Sequence, residues 1–382
     1  MHRKNADFFF EIFEKNAIPE PFTHLNSSQD DQIINNDNYD EKLLLQRSHF
    51  HNIFFIPDYL APGFDNKLLS VKEVTQFFKG YAIFLRDSEN AEDYIKQRFK
   101  KNAKSIRKRV RRLESCFDIK YEMFYGNIER STYDKLIDMA KYMLERRFIQ
   151  RNDTNQALLK WDRLKQLFFD LINSKKASLF LITQNDIPIV ISLNYHYQNK
   201  MFSSISAYDI DFEKFSLGSV EIYNKLKWCI DNDHNVYEMG MGDLSYKREW
   251  CNHIYQFKHQ ILYPKKSLIA LLKARKQYFV VWSKELAYKL FYVRYKKYKS
   301  RNKKSAAPVF KISMVPLDNV DVSTLKKLDL DHKAFSYLKK SVYDYLYSKT
   351  EHVADIALYQ ESNDDKTFIL VGKKSTHRIT VD

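Results

Sequence analysis

Between residues 177 and 209 the chain has room for strands and none for a helix. Ala177 to Thr183, Ile187 to Tyr197 and Met201 to Asp209 read as strands, separated by the turns Gln184-Asn185-Asp186 and Gln198-Asn199-Lys200. Turns this short close antiparallel hairpins, whereas parallel strands need a helical crossover between them. The segment therefore excludes a Rossmann-type sheet or a parallel barrel. The glycine-rich dinucleotide loop and the Gly-Lys-Ser/Thr nucleotide loop are also missing from the sequence.

The flanks of this meander are equally readable. Phe117, Ile119, Tyr121 and Met123 alternate as a strand does, and helical stretches follow near Ser131 to Arg147 and Leu158 to Asn173. After the meander a helix is expected from Ser216-Leu217-Gly218-Ser219 to Asn232-Asp233. A short strand, Val236 to Met239, runs into Gly240-Met241-Gly242-Asp243, and Gln256 to Leu262 closes the block as a further strand. Upstream, Lys96 to Arg112 contains no acid, and Phe99, Ala103, Ile106, Val110 and Leu113 recur at helical steps, which predicts a basic amphipathic helix. The class is α/β of the α+β kind, a mixed, mostly antiparallel sheet flanked by helices, with its core at 96–264.

Outside that core the pattern is weaker. Residues 1–95 mix aromatics with a polar, loop-like stretch, Asn26 to Glu41, and an apolar segment, Phe54 to Pro62, that reads as a buried strand or substrate-facing loop. Residues 265–304 carry 14 basic residues against the single acid Glu285, interleaved with aromatics such as Phe279, Trp282 and Tyr295. Docking on an anionic membrane surface, gripping nucleic-acid phosphates, and a helical pair packed on the core by its aromatics all fit this segment. In 305–382, Ser305 to Pro308 looks like a linker, and Val309 to Asp382 like a small α+β appendage.

The 382 residues are 44% hydrophobic, enough for a sizeable core. No apolar run approaches the length of a membrane span, and the N-terminus lacks a secretory h-region, so cytoplasmic residence is expected, with the inner membrane face as a site of peripheral contact. The net charge of +15 calls for an anionic partner. Cys116, Cys229 and Cys251 are too scattered for a zinc site and are expected to be reduced and structural. His196, His234, His253 and His259 show no metal-binding spacing, and no nucleophile elbow is present, so neither a metal nor a covalent enzyme intermediate is expected.

Two places concentrate polar chemistry. At Ser216, Leu217, Gly218 and Ser219 a helix start offers free amides to an anion, or is simply capped by a serine. Tyr208 and Asp209 end the strand before it, as site residues or as a core aromatic and a turn former. The second place is Gly242-Asp243-Leu244-Ser245-Tyr246-Lys247-Arg248-Glu249-Trp250, where an acid, a phenol, an ammonium and a guanidinium follow a glycine-rich strand end. Asp243 is suited to orienting or deprotonating a nucleophile, Tyr246 to returning a proton, and Lys247 or Arg248 to binding phosphate; a structural ion pair clamping the turn fits the same residues.

Ala207-Tyr208-Asp209-Ile210-Asp211-Phe212 with Ser216-Leu217-Gly218, followed by the Gly-Asp-x-x-Tyr-Lys-Arg string at 242–248, resembles the CelD-type, BioF-associated acetyltransferase family, related to the FemAB-like branch of the GNAT superfamily. The Arg-rich stretch Ile106 to Leu113 and the helix end Glu145-Arg146-Arg147-Phe148 match that pattern too. In place of the family's usual aromatic before the glycines stands Tyr237-Glu238-Met239. The resemblance implies a GNAT-like core over about 95–265; residues 1–95 fall outside it and are expected to form a second, degenerate GNAT-like half. It further implies an acyl-coenzyme A co-substrate, commonly acetyl-CoA, and direct attack of an amine or hydroxyl on the thioester, in envelope polysaccharide or lipid pathways. Asp243, Tyr246, Lys247 and Tyr208 then become catalytic candidates. Ser216 to Ser219 and Arg248 fall to the donor, and Asp209, Glu238 and Arg147 to the acceptor. The competing expectations are a transferase using aminoacyl-tRNA and a non-catalytic membrane-surface or interaction protein on the same scaffold.

Overall fold

The computed structural model describes residues 4–30, 33–41, 44, 50–153, 157–301, 312–318, 320–361 and 364–381, so the expected linker at Ser305 to Pro308 lies outside them. The strands of the first half are β1 (Lys4–Asp7), β2 (His24–Ser27), β3 (Ile33–Asn35), β4 (His51–Ile56), β5 (Leu60–Gly63), β6 (Leu69–Phe84), β7 (Ile119–Phe124) and β8 (Ala177–Gln184). Those of the second half are β9 (Ile187–Tyr197), β10 (Lys200–Tyr208), β11 (Val236–Met241), β12 (His253–Pro264), β13 (Ile312–Leu317), β14 (Lys326–Leu328), β15 (Ala357–Glu361), β16 (Asp364–Val371) and β17 (Thr376–Val381). The α-helices are α1 (Ala91–Phe99), α2 (Ala103–Cys116), α3 (Arg130–Gln150), α4 (Trp161–Asn173), α5 (Leu217–Asp231), α6 (Ser245–Trp250), α7 (Leu268–Arg301) and α8 (Lys339–Lys349).

Nine strands form one sheet in the order β1-β4-β12-β6-β11-β10-β9-β8-β7. All its pairings are antiparallel except β1 with β4 and β10 with β11, which is the mixed, mostly antiparallel α/β fold expected. β8, β9 and β10 make the hairpins read from the sequence. β9 is buried along all but its first residue, and its polar members Ser192, Asn194 and His196 share one face. On the opposite face Leu179, Leu181, Ile191 and Leu193 meet α3 and α4 in one core. The other side of the sheet is covered by α2 and α5, through Ile106, Val110, Val220, Ile222 and Leu226. Cys116, Cys229 and Cys251 are free and buried in these layers.

The basic amphipathic segment is two helices. Ala103, Ile106, Val110 and Leu113 are buried along α2 as the periodicity predicts, but Lys100 has φ 48° and breaks the helix after Phe99. The break lets the Phe99 ring turn onto Trp250, 5.0 Å away. From the N-terminal region the 16-residue β6 enters the sheet between β12 and β11, giving both of them antiparallel partners. Its sequence hides it because one part lies under α7 and the other under the core, so no single alternation runs along it.

The aromatic segment after β12 is a single helix, α7, with one face on β6 and β12. Among the described residues no helix is long and apolar enough to cross a membrane. The C-terminal residues form a separate antiparallel sheet, β13-β17-β16-β15-β14, whose helix α8 presses on the turn between β10 and α5. There the ring of Phe117 lies 4.9 Å from Phe212, 5.2 Å from Phe215 and 5.1 Å from Tyr343. Lys340 and Asp344 pair across the same contact with Glu213 and Lys214, at 3.1 and 3.5 Å. Phe117→Ala removes the ring shared by these three and is expected to cost about 3 kcal/mol, read as a lower midpoint of chemical unfolding.

Candidate active site

β10 and β11 pair in parallel over only three positions, Lys200 with Val236, Met201 with Tyr237 and Phe202 with Glu238. Beyond them β10 bulges between Ser203 and Ile205 while staying on β9, and β11 stays on β6. The strands part, and a cavity of about 830 Å³ opens between them, a size typical of small-molecule and cofactor sites. Ser203, Ser204, Ser206 and Tyr208 line it from β10, and Tyr237 and Met239 from β11. Leu217, Gly218 and Ser219 at the start of α5, Arg147 on α3, and Tyr246 and Lys247 on α6 also line it, and Glu221 of α5 reaches it from below.

The helix start has the form an anion site needs. Ser216 is left-handed at φ 56°, and its carbonyl accepts the amides of Ser219 at 2.8 Å and Val220 at 3.3 Å. Leu217 and Gly218, whose amides precede the first intrahelical bond, border the cavity. A Cβ on Gly218 would sit 3.5 Å from Tyr208 Oη, an ordinary contact, so only a side chain larger than alanine would intrude on the cavity. Arg109, from the basic helix α2, donates from Nη1 to Ser219 Oγ at 2.7 Å, with its other nitrogen 3.8 Å from Glu249. The sequence marks α2 as basic, yet nothing in it singles out Arg109 among its neighbours.

Beneath the cavity lies a buried ion pair that sequence reasoning missed. Glu221 and Lys225, one helical turn apart on α5, are 2.5 Å apart and almost fully enclosed. Lys225 also donates to Ser192 Oγ and, at 3.0 Å, to Ser203 Oγ. Glu221 accepts Ser206 Oγ at 2.7 Å and the Tyr208 hydroxyl. Burial opposes the Glu221 charge, but the ammonium and the donated hydrogen bonds outweigh it and hold its pKa below the ordinary value. Burial draws the Lys225 pKa down against the pull of Glu221. An i,i+4 Glu-Lys pair normally marks a solvated helix face, so the sequence alone gives no hint of this one.

The residues of the Gly242 to Trp250 string divide between the cavity and its supports. Gly240 and Gly242 have φ of 71° and 112°, backbone that other residues rarely adopt, and α6 follows at once. Tyr246 and Lys247 reach the cavity; Burial pushes the Tyr246 phenol up to about 12. Lys247 is itself buried and donates to the carbonyl of Met241 at 2.8 Å and of Gly240 at 3.4 Å, clamping the strand end. Asp243 is outside the lining: it accepts the Tyr81 hydroxyl at 2.6 Å and lies 3.3 Å from Arg248 Nε. Arg248 is outside it too, and its carbonyl takes a hydrogen bond from Arg98 at 2.5 Å.

Among the other expected residues, Tyr208 and Arg147 are in the lining with the guanidinium 4.9 Å from the ring centroid. Asp209 lines the cavity, caps the following turn by accepting the Asp211 amide at 3.0 Å, and pairs with Arg146 at 3.2 Å. Glu238 points away from the cavity. It is fully buried, accepting Tyr59 Oη at 2.8 Å, Tyr255 Oη at 2.9 Å and the Gly240 amide at 2.6 Å. Desolvation raises its pKa to about 7, although those donors and Lys247 pull the other way.

Residues 100–248 match the family model described as the acetyltransferase (GNAT) domain, and every residue lining the cavity falls inside that range. Element order and split strands agree with that match and give this part of the chain a GNAT-like fold. No curated protein matches the chain. Among solved structures it is similar to a conserved protein of unknown function from Bacteroides thetaiotaomicron VPI-5482, at 11% identity and a TM-score of 0.40, covering 61% of this chain and 80% of that one. It is also similar to FemX, at 11% identity and a TM-score of 0.36 over 48% of this chain and 61% of that one. A GCN5-related N-acetyltransferase from Kribbella flavida is similar at 7% identity and a TM-score of 0.27, over 60% and 74%.

Glu238 makes stability depend on pH in a defined direction. A carboxyl whose pKa is higher folded than unfolded binds its proton more tightly in the native state, so its stabilising effect is full below the unfolded pKa of 4.5 and lost as pH rises to about 7. Chemical unfolding followed across that window should show Glu238→Gln with a flatter pH dependence than the parent protein.

Proposed function

We propose that the chain is an acyltransferase that binds a coenzyme A thioester between β10 and β11 and passes its acyl group to an amine or hydroxyl. The observation that carries this reading is the strand split: three paired positions, then two open backbone edges below a helix start. Open edges offer donors and acceptors to the amides of a pantetheine arm, and the start of α5 with Arg109 beside it favours a diphosphate. The thioester then lies among Ser206, Tyr208 and Tyr246.

In the reaction the acceptor nitrogen or oxygen forms its bond to the thioester carbonyl carbon, the C–S bond breaks, and the thiolate leaves. Backbone amides of the open edges polarise the carbonyl oxygen. Tyr246, held protonated at neutral pH by its raised pKa, gives its proton to the thiolate. The acceptor's proton is relayed through the Ser206 or Tyr208 hydroxyl to Glu221, the ionised base beneath them. Asp243, Lys247, Arg248 and Glu238 serve by fixing the strand end and α6 rather than by touching the thioester. The Gly242 to Trp250 string favours the CelD-type branch of the superfamily, with an acceptor from envelope polysaccharide or lipid chemistry. Aminoacyl-tRNA is the competing donor, and the exposed Lys104, Lys108 and Arg111 of α2 are the feature that favours it.

Acetyl-CoA and longer acyl-CoAs are expected to raise the melting temperature of the purified protein, since a ligand of the native state alone must stabilise it. Arg109→Gln should weaken that binding about tenfold through loss of a charge-assisted contact. Gly218→Trp should abolish it by filling the cavity. Tyr246→Phe should keep binding and lower turnover about a hundredfold. A steeply salt-dependent shift with tRNA and none with any thioester would transfer the reading to the aminoacyl-tRNA donor.

A further inference from the structure

Helix α7 is apolar on two opposite faces, and protein covers one of them. Ala270, Ala274, Gln277, Val281 and Glu285 are buried against the sheet, and Tyr288 and Tyr292 continue that face onto Phe77 and Phe78. On the far side Leu272, Phe279, Trp282, Leu286, Leu290 and Val293 follow one another at steps of three, four and seven, one ridge along a helix. All six are exposed, with Leu272 at 64%, Phe279 at 63% and Val293 at 60%. A ridge of that size left in water marks an interaction surface.

The charge around the ridge selects its occupant. Lys273, Lys276 and Arg294 stand along one flank and Lys289 along the other, and Arg275 interrupts the ridge itself between Leu272 and Phe279. The segment's single acid, Glu285, faces inward and accepts the Phe77 amide at 2.7 Å. The described outer surface of α7 therefore bears cations and no anion. Pairing two such ridges from two copies would set like charges against each other. A nucleic acid would satisfy the cations while leaving the leucines and valine wet. An anionic lipid surface satisfies both, because acyl chains take the apolar ridge while long cationic side chains reach out to the headgroups. Among the described residues no helix is apolar enough to cross the bilayer, so α7 would lie along it.

We infer that α7 docks this protein on an anionic phospholipid surface, ridge inward and axis parallel to the membrane. The docking is independent of what the β10–β11 cleft binds, and its test contains no thioester. The full-length protein is floated with phosphatidylcholine vesicles and with vesicles that also contain phosphatidylglycerol, while tryptophan emission is recorded. Of the four tryptophans, Trp161 and Trp250 are buried, Trp228 is half-buried on α5 away from α7, and Trp282 is exposed, so insertion should move the Trp282 contribution to shorter wavelength, a shift that Trp282→Phe should remove. Flotation is expected with the anionic vesicles only. Leu272→Gln with Leu290→Gln, and separately Lys276→Glu with Arg294→Glu, should each lower vesicle partitioning by about tenfold or more. Both pairs sit on the exposed side, and an unchanged thermal melt establishes that they remain folded. Absence of flotation by the folded parent protein would overturn the proposal, as would equal binding to neutral vesicles. A dimer in sedimentation that dissociates in the Leu272/Leu290 variant, without vesicle binding, would assign the ridge to a second copy and overturn it as well.

Discussion

The site depends on two strands that begin as neighbours and are then held apart. Parallel strands continue their ladder unless something else takes their hydrogen bonds, and here each strand has another partner, β9 for β10 and β6 for β11. The Glu221–Lys225 pair fixes the point of departure. It ties α5 to Ser192 on β9 and to Ser203 and Ser206 on β10, beside the bulge where the ladder ends. Removing one member of a buried pair leaves the other charge without compensation, so the arrangement resists gradual change. The same carboxylate holds the Tyr208 hydroxyl, which joins the structural device directly to the cavity wall.

The C-terminal unit gains a structural meaning from this geometry. Its helix α8 leans on the turn that carries Asp209 to Ser216, and Phe117, Phe212, Phe215 and Tyr343 form the contact. Arg112 extends the attachment from the other side, donating to the Tyr347 carbonyl at 2.7 Å. The helix start proposed to hold a diphosphate is therefore braced from behind by a separate sheet. Opposite it, α6 is anchored by the wholly buried Trp250, which packs under Phe99 and accepts the Tyr94 hydroxyl at its carbonyl. Both rims of the cavity are thus fixed by elements that lie outside it.

Legibility followed the length scale of the interaction. The meander, α5 and the buried side of α2 were readable because each is a repeating pattern set by one local geometry, of period two or near 3.6. The glycine-bounded string at 242–250 was visible as a dense polar cluster, and the structure separates its members: Tyr246 and Lys247 reach the cavity, whereas Asp243 and Arg248 hold each other and Tyr81. Glu221, Lys225 and Arg109 were not legible, since Glu, Lys and Arg on helices are ordinarily solvated and the residues that bury them come from other elements.

By itself the sequence determined the antiparallel meander, the order of elements around it and the helix start at Leu217 to Ser219, because backbone hydrogen bonding and side-chain periodicity are written into consecutive residues. Tertiary structure alone decided that β6 would enter between β11 and β12, that β10 and β11 would separate after three positions, and that a glutamate and a lysine would be enclosed beneath the opening. Those outcomes depend on which distant strand wins each free edge and on what then shields the charges from water, and both are settled only when the whole chain has packed.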